Sequence, residues 1–156
     1  MLFLRTATRS LALCIALVSC TSKHPAWEIS ETRTRHKSHQ AFKLSHKPDN
    51  IFRGMEVEFV RTASGLRSYL NVHSLKFAEE TAHAKKTEIV LISDGTERHY
   101  LADRLEGGQR LLLPPEAQEF LLDQLAENHS VRVVSGRFDV EVSPAELPLH
   151  LAKLRR

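Results

Sequence analysis

The sequence predicts an α+β fold, mainly antiparallel sheet or a small β-sandwich, with one packed helix and a short C-terminal helix. Three observations support this prediction. Apolar and polar residues alternate in residues 55–59 and 66–72, which is the period of half-buried strands. Asp94-Gly95 separates two more strand-like stretches, as in a tight hairpin. Strand and helix patterns do not alternate along the chain, so a parallel sheet is not expected.

The first hairpin follows from that alternation, because residues 55–59 and 66–72 flank a turn at Ala63-Ser64-Gly65. The residues that precede this hairpin are harder to interpret. Residues 27–35 are compatible with a first strand or an extended arm. Residues 35–48 are basic and rich in histidine, which predicts a mobile segment or an edge segment.

The middle of the chain predicts a second hairpin. Residues 77–86, rich in alanine and glutamate, allow either a short helical turn or a loop. Residues 89–92 are continuously aliphatic and predict a central strand buried on both faces, with a return strand over residues 97–101. Gly107-Gly108 predicts a turn, and another short strand is expected after it, over residues 110–113.

The C-terminal part predicts a helix, a hairpin and a short final helix. Pro115 suits the first turn of a helix that ends near Asn128, since a proline there loses no hydrogen bond. Three apolar residues at helical spacing form its buried stripe, namely Phe120, Leu121 and Leu125. A hairpin follows around Ser135-Gly136. Ser143-Pro144-Ala145-Glu146 then resembles a capping box that begins a helix to Leu154, which Pro148 disturbs.

The first twenty residues predict export from the cytosol. Arg5 and Arg9 precede an apolar run over residues 11–18, and small residues follow, as in a secretory signal peptide. The run is too short to span a bilayer, which needs roughly 20 residues. It ends in the tetrad Leu17-Val18-Ser19-Cys20, in which a small residue directly precedes a cysteine.

This tetrad resembles the lipobox of bacterial lipoproteins. The resemblance implies a diacylglyceryl group on the Cys20 thiol, cleavage between Ser19 and Cys20, and acylation of the amine that is freed. Thr21 after the cysteine, in place of an aspartate, implies the outer membrane. Each buried methylene adds about 0.8 kcal/mol, so two or three chains such as palmitate make attachment nearly permanent. The alternative is simple secretion with cleavage just after Cys20.

The predicted organisation is a signal peptide (1–19), a lipidated cysteine with a basic, histidine-rich arm (20–50), and a globular β-rich domain (51–156). Of 22 basic residues, two leave with the signal peptide, which leaves 20 against 19 acidic residues. This balance and the predicted export argue against nucleic acid as a partner. The chain has two cysteines, of which Cys14 leaves with the predicted signal peptide and Cys20 is predicted to be lipidated. No internal disulfide is therefore expected, and the core alone stabilises the domain.

The best candidate binding surface is the polar face of the strand over residues 66–72 and the residue that follows it. It combines an aromatic side chain, hydrogen-bond donors and a positive charge, in Arg67, Tyr69, Asn71 and His73. The alternative is an ordinary solvent-facing strand.

No metal, cofactor or catalytic residue is predicted. His36 and His39 would share a face if the arm were helical, but no carboxylate or thiolate completes a ligand set. Serines such as Ser64 and Ser93 lie in predicted turns without the setting of an activated nucleophile. We therefore expect a protein that is not an enzyme.

Residues 125–154, a helix, a hairpin and a short amphipathic end, are similar to the ends of the invasion-associated locus B family of small exported β-sandwich proteins. The cysteines common in that family are missing, so no residue roles are transferred. The sequence predicts a membrane-anchored lipoprotein with a small binding or assembly domain, an accessory of an envelope or secretion complex with an envelope protein as its partner. No small-molecule substrate is identified. The alternative is a periplasmic ligand carrier or an envelope hydrolase, which would show one large apolar pocket with converging polar groups.

Overall fold

The computed structural model describes residues 26–32, 40–50, 52–80, 83 and 85–155. Within these residues nine strands form one sheet, and two helices pack against it. The strands are β1 (Trp27–Thr32), β2 (Ala41–His46), β3 (Glu56–Thr62), β4 (Gly65–Asn71), β5 (Lys86–Ser93), β6 (Thr96–Arg104), β7 (Arg110–Leu112), β8 (Val131–Ser135) and β9 (Phe138–Val142). The helices are α1 (Pro115–Ala126) and α2 (Pro148–Arg155).

The sheet is open and antiparallel throughout, in the order β1-β2-β3-β4-β7-β6-β5-β8-β9. The short strand β7 joins its two halves, because Leu112 pairs with Tyr69 of β4 and with Asp103 of β6. A mainly antiparallel sheet with a packed helix and a C-terminal helix is therefore confirmed. The finer alternative, a small β-sandwich, stays a prediction.

The predicted hairpins are confirmed, and local backbone geometry explains them. Asp94 and Gly95 have φ angles of 47° and 71°, so both central residues of this turn are left-handed. That geometry matches the twist of the flanking strands β5 and β6. Gly65 has a φ of 122°, which only glycine adopts without strain, and it begins β4 directly after the turn.

The core lies on one face of the sheet, and both helices pack on that face. Cross-strand pairing aligns Leu44 with Phe59, and the Ser68 hydroxyl on the same face donates to Gln118 Oε1 of α1 at 3.0 Å. Because successive side chains of a strand point to opposite faces, the buried aliphatic residues of each strand lie on this face. The largest fully buried side chains are Leu44, Met55, Phe59, Leu70, Phe77, Ile89, Leu91, Leu111, Leu121, Leu125, Leu147 and Leu154.

The sheet begins earlier than predicted. The predicted organisation assigned residues 20–50 to an arm, with a first strand as the alternative within residues 27–35. That alternative is confirmed over residues 27–32, since β1 and β2 are the first two strands of the sheet and Trp27 and Leu44 are buried in the core. The predicted domain start at residue 51 is therefore too late. The basic residues of β2 hid its pattern, in which Phe42, Leu44 and His46 alternate toward the core.

Two smaller predictions differ from the structure, and a third that left two alternatives open is decided. In β5, Ile89 and Leu91 are fully buried while Val90 is half-buried, so the strand is buried mainly on one face. In the described part of residues 77–86 the chain forms a loop, which is one of the two predicted alternatives. Pro148 does not disturb the last helix but begins it, because a proline in the first turn loses no hydrogen bond.

The signal peptide, the cleavage site at Ser19 and Cys20, and the predicted lipid attachment all lie outside the described residues. Among the helices in the described part of the chain, none is long and apolar enough to cross a membrane.

Candidate functional site: a charged sheet face

The face of β2, β3, β4 and β7 opposite the core carries a connected group of charged and polar side chains. Pairing places Glu58 beside Tyr69 and Glu56 beside Asn71, so side chains from neighbouring strands meet on this face. We call this group the charged sheet face. It consists of Lys43, Lys47, Glu56, Glu58, Tyr69, Asn71, His73 and Arg110.

Glu58 is the centre of this face. It is only 5% exposed, and its two oxygens accept hydrogen bonds from Lys43 Nζ at 2.9 Å and from Arg110 Nη2 at 2.8 Å. Burial by itself would raise the pKa of Glu58. The hydrogen bonds from Lys43 and Asn71 and the charges of Lys43 and Arg110 outweigh burial and hold this pKa below its ordinary value. Glu58 is therefore ionised at neutral pH.

Glu56 forms a second buried ion pair beside the first. It is 4% exposed, with Lys47 Nζ at 3.1 Å from one oxygen and His73 Nε2 at 3.2 Å from the other. Lys47 Nζ also lies 3.3 Å from a carboxylate oxygen of Glu28 on β1. The interaction with Glu56 is the main cause of a raised pKa at Lys47. With Glu28, these interactions involve residues of five strands, β1, β2, β3, β4 and β7.

Arg110 links this network to an aromatic ring. Its guanidinium carbon lies 3.9 Å above the centre of the Tyr69 ring, a cation–π contact. Within the described residues, Arg110 Nε and the Ser45 hydroxyl are buried without a hydrogen-bond partner. The face therefore holds an ordered arginine and tyrosine, together with polar atoms whose bonding capacity is not fully used.

The structure brings together three of the four residues predicted as a binding surface. Tyr69, Asn71 and His73 belong to the charged sheet face, through Arg110, Glu58 and Glu56 respectively. Arg67 lies on the same face opposite Val60 and is exposed, but no contact within the described residues joins it to the group.

Sequence reasoning missed the charged partners of these residues. Glu56 and Glu58 were treated as ordinary solvent-facing positions, and Lys43 and Lys47 were assigned to the arm. The predicted hairpin contained part of this signal: the observed two-residue turn at 63–64 pairs Glu58 with Tyr69, whereas the predicted turn at 63–65 shifts that pairing by one residue. Arg110 gave no such signal, since only long-range pairing of β7 with β4 brings it here.

A second polar site surrounds His46, where the end of β2 meets the segment after β9. His46 Nε2 accepts a hydrogen bond from the Ser143 N–H at 3.4 Å, and Trp27 Nε1 donates to the Ser143 carbonyl at 3.0 Å. Burial lowers the pKa of His46, and the nearby charge of Asp49 opposes this only in part. The backbone N–H occupies Nε2, and Nδ1 is buried without a hydrogen-bond partner among the described residues, so neither ring nitrogen contacts a hydroxyl there.

Two cavities of moderate size are lined mainly by polar groups. One of about 540 Å³ adjoins His46 and is lined by Ala26, His46, Lys47, Pro48, Asp49, Ser130, Glu141 and Ser143. Another of about 660 Å³ lies between α1 and β6 and is lined by Arg98, His99, Tyr100, Glu116, Glu119, Phe120, Asp123, Gln124 and Glu127. Neither has the apolar lining that a carrier of apolar ligands uses.

No cluster of three or more metal-ligating side chains occurs among the described residues. His36 and His39, weighed as ligands in the sequence, lie outside them. Comparison with protein-family models, curated proteins and solved structures finds no match for this chain. The functional proposal therefore depends on the sequence and on the geometry of the described residues.

Proposed function

We propose that this chain is a bacterial lipoprotein, held at the outer membrane by acyl chains on Cys20, whose domain binds an envelope protein through the charged sheet face. The proposal is of a binding or assembly protein, an accessory of an envelope or secretion complex, and not of an enzyme. The ordered contact of Arg110 with Tyr69 above buried Glu58 is the observation that supports it best.

Arginine and tyrosine are enriched among the residues that dominate the energy of protein interfaces. Here Arg110 is already held by Glu58 and Tyr69, so binding would immobilise few additional rotamers. Lys43 and His73 present further donors on the same face. Charges of both signs in fixed positions favour one complementary partner over others, which suits an assembly role.

The alternative, a periplasmic ligand carrier or an envelope hydrolase, is supported by one feature, the cavity of about 540 Å³ beside buried His46. The bond from the Ser143 N–H to Nε2 of this histidine weakens the case for a hydrolase. A small polar ligand is the version of the alternative that the cavity favours.

The proposal includes a finer architecture, in which the open sheet folds over itself as a small β-sandwich. The hydrogen bond from Trp27 Nε1 to the Ser143 carbonyl supports it, because it joins the first strand to the segment after the last. The ring contact of Phe77 with Phe138, with centres 5.3 Å apart, also supports it.

The anchor is tested by metabolic labelling of the full chain. Radiolabelled palmitate is expected in the wild-type protein and not in Cys20→Ser, since only the cysteine thiol accepts the diacylglyceryl group. Equal incorporation in both proteins would contradict the lipoprotein assignment.

The binding role is tested by crosslinking and pull-down of the native lipoprotein, with Cys20→Ser as the unanchored control. We expect the wild-type protein to recover a specific envelope protein. The amount recovered should fall roughly tenfold or more when Arg110→Ala and Tyr69→Ala remove two residues expected to dominate the binding energy. Arg132→Ala is the matched control, because Arg132 is an exposed arginine on β8 paired with Asp139. Recovery of no partner, or equal recovery with both sets of variants, would overturn this role.

A further inference from the structure

Two exposed apolar side chains lie together at one end of the domain. Phe52 is 65% exposed and Leu75 is 43% exposed, and with Arg53 and Arg137 they line a cavity of about 390 Å³. We call these four residues the Phe52 patch. Leu149, at 76%, is more exposed still but lies apart on α2, so exposure by itself does not distinguish the patch.

The loops that carry the patch are tied to one another. The Ser74 hydroxyl donates to the Phe52 carbonyl at 3.2 Å, and the Asp139 N–H is directed at the Arg53 carbonyl at 3.5 Å. The Phe52 N–H donates to Asn50 Oδ1 at 2.8 Å. These bonds join the loop before β3, the loop after β4 and the start of β9. The patch is therefore a defined surface and not three independent loops.

The two arginines of the patch are unpaired in the described part of the chain: no ion pair joins Arg53 or Arg137 to a carboxylate there. Eight other basic side chains have acidic partners, namely Lys43, Lys47, Lys86, Arg104, Arg110, Arg132, Lys153 and Arg155. Arg61, Arg67 and Arg98 on the strands have no ion pair among the described residues either, so it is the apolar neighbours of Arg53 and Arg137 that distinguish the patch. Unpaired guanidinium groups beside exposed apolar side chains are complementary to a lipid surface. The apolar groups enter the acyl boundary while the arginines bind phosphate headgroups.

The patch also follows closely in sequence on a segment that lies beside Ala26, the first described residue. Ala26 lines a cavity together with Lys47, Pro48 and Asp49, and Phe52 follows three residues after Asp49. A fully extended chain spans roughly 3.5 Å per residue, so the six steps from Cys20 to Ala26 reach at most about 20 Å. The proposed anchor would therefore hold Ala26, and the segment before the patch that lies beside it, within about 20 Å of the membrane.

From these observations we propose that the Phe52 patch is a second membrane contact, which inserts Phe52 and Leu75 into an anionic phospholipid surface while Arg53 and Arg137 bind its phosphates. This inference rests on the proposed lipid anchor for its orientation. The patch would hold the domain with one end on the bilayer and leave the charged sheet face accessible to a partner.

A tryptophan reporter tests the contact in the full chain carrying Cys20→Ser, so that acylation plays no part. Phe52→Trp places an indole in the patch, while the native Trp27 is buried and gives a constant background. With vesicles that contain phosphatidylglycerol, we expect a blue shift of the emission and quenching by brominated acyl chains. Leu149→Trp is the matched control and should show neither.

Two further measurements decide the role of charge. Adding Arg53→Gln and Arg137→Gln should lower the affinity for vesicles, read from the emission shift, roughly tenfold or more. Two basic groups close to an anionic surface together contribute attraction of about that size. Vesicles of phosphatidylcholine alone should give a much smaller shift. Equal shifts in the two lipids, equal shifts at the two reporter positions, or no quenching would each overturn the proposal.

A protein occupant is distinguished in the same design. If the indole at position 52 becomes shielded only when an envelope protein is added, and not with vesicles, the patch is a protein interface and the membrane contact is wrong. Because the reporter chain lacks the acylated cysteine, a failure of palmitate labelling would refute the anchor without deciding the vesicle result.

Discussion

Ion pairs occur in both halves of the sheet, but their surroundings differ. In the half formed by β1 to β4 and β7, Glu56 and Glu58 are almost fully buried, and each contacts two basic side chains. In the half formed by β5, β6, β8 and β9, Arg132 and Asp139 form a bidentate pair in which both side chains are about half exposed. Removal of one partner is therefore expected to cost more stability in the first half, where it leaves a buried charge unpaired, than in the second.

The difference comes from the side chains around each carboxylate and not from the face of the sheet on which it lies, since both carboxylates alternate away from the core. Glu58 alternates outward from the core, yet the stems of Lys43 and Arg110 and the ring of Tyr69 surround it. Asp139 lies on β9 at the edge of the sheet, where only β8 flanks it. A central position between long side chains turns a nominally solvent-facing residue into a buried one.

The largest expected effect comes from removing the central charge. Glu58→Gln should lower the free energy of unfolding by about 2 kcal/mol, because it leaves Lys43 and Arg110 without their shared carboxylate. This is less than the roughly 3–5 kcal/mol for a fully enclosed pair, since both partners are partly exposed and can be rehydrated. Equilibrium unfolding in urea measures this change as a lower midpoint, with the dependence of the unfolding free energy on urea concentration unchanged.

Asp139→Asn is the matched control for that experiment, because it makes the same acid-to-amide change in the exposed half. Its urea midpoint should move several-fold less than that of Glu58→Gln. Equal shifts for the two variants would show that burial does not distinguish the two halves.

A second prediction compares the histidines of the two halves. Burial lowers the pKa of His46 from its ordinary value of 6.5, whereas hydrogen bonds to Glu88 and Glu97 raise the pKa of His99. As the pH falls below 6.5, the unfolded chain protonates at position 46 before the folded chain does, so His46 makes stability fall. His99 acts with the opposite sign: its contribution is complete below 6.5 and is lost as the pH rises through its folded pKa.

The test follows the unfolding free energy between about pH 5 and 8. His46→Gln should remove a loss of stability on the acidic side, and His99→Gln should remove a loss on the alkaline side. Slopes that change in the same direction for both variants would be incompatible with the opposite environments of these two rings.

The smallest expected effect concerns the exposed pair. A double-mutant cycle on Arg132 and Asp139, with Arg132→Ala and Asp139→Asn, should give a coupling that largely disappears in about 1 M salt, where the screening length is near 3 Å. The coupling of Lys43 with Glu58, measured in the same way, should be larger and should keep more of its value. A coupling between Arg132 and Asp139 that does not change with salt would contradict the expected difference between exposed and buried pairs.

Local patterns predicted the hairpins because adjacent strands depend on turn chemistry that a few residues encode. The turn at Asp94-Gly95 and the helix that begins at Pro115 are examples. The same patterns failed for β2, where lysines on one face masked the apolar alternation of Phe42 and Leu44 on the other. Three of the eight residues of the charged sheet face were predicted, namely Tyr69, Asn71 and His73, since these lie on one strand and its extension.

The sequence by itself determined the antiparallel class, the positions of most strands, and the polar residues that β4 presents. Periodicity and turn residues carry this information, because they act over a few neighbouring positions. Only the tertiary structure decided that β1 and β2 join the sheet, that β7 brings Arg110 to Glu58, and that Phe52 and Arg137 line one cavity. These contacts join residues distant in sequence, and burial of charge depends on which side chains long-range pairing places around each carboxylate.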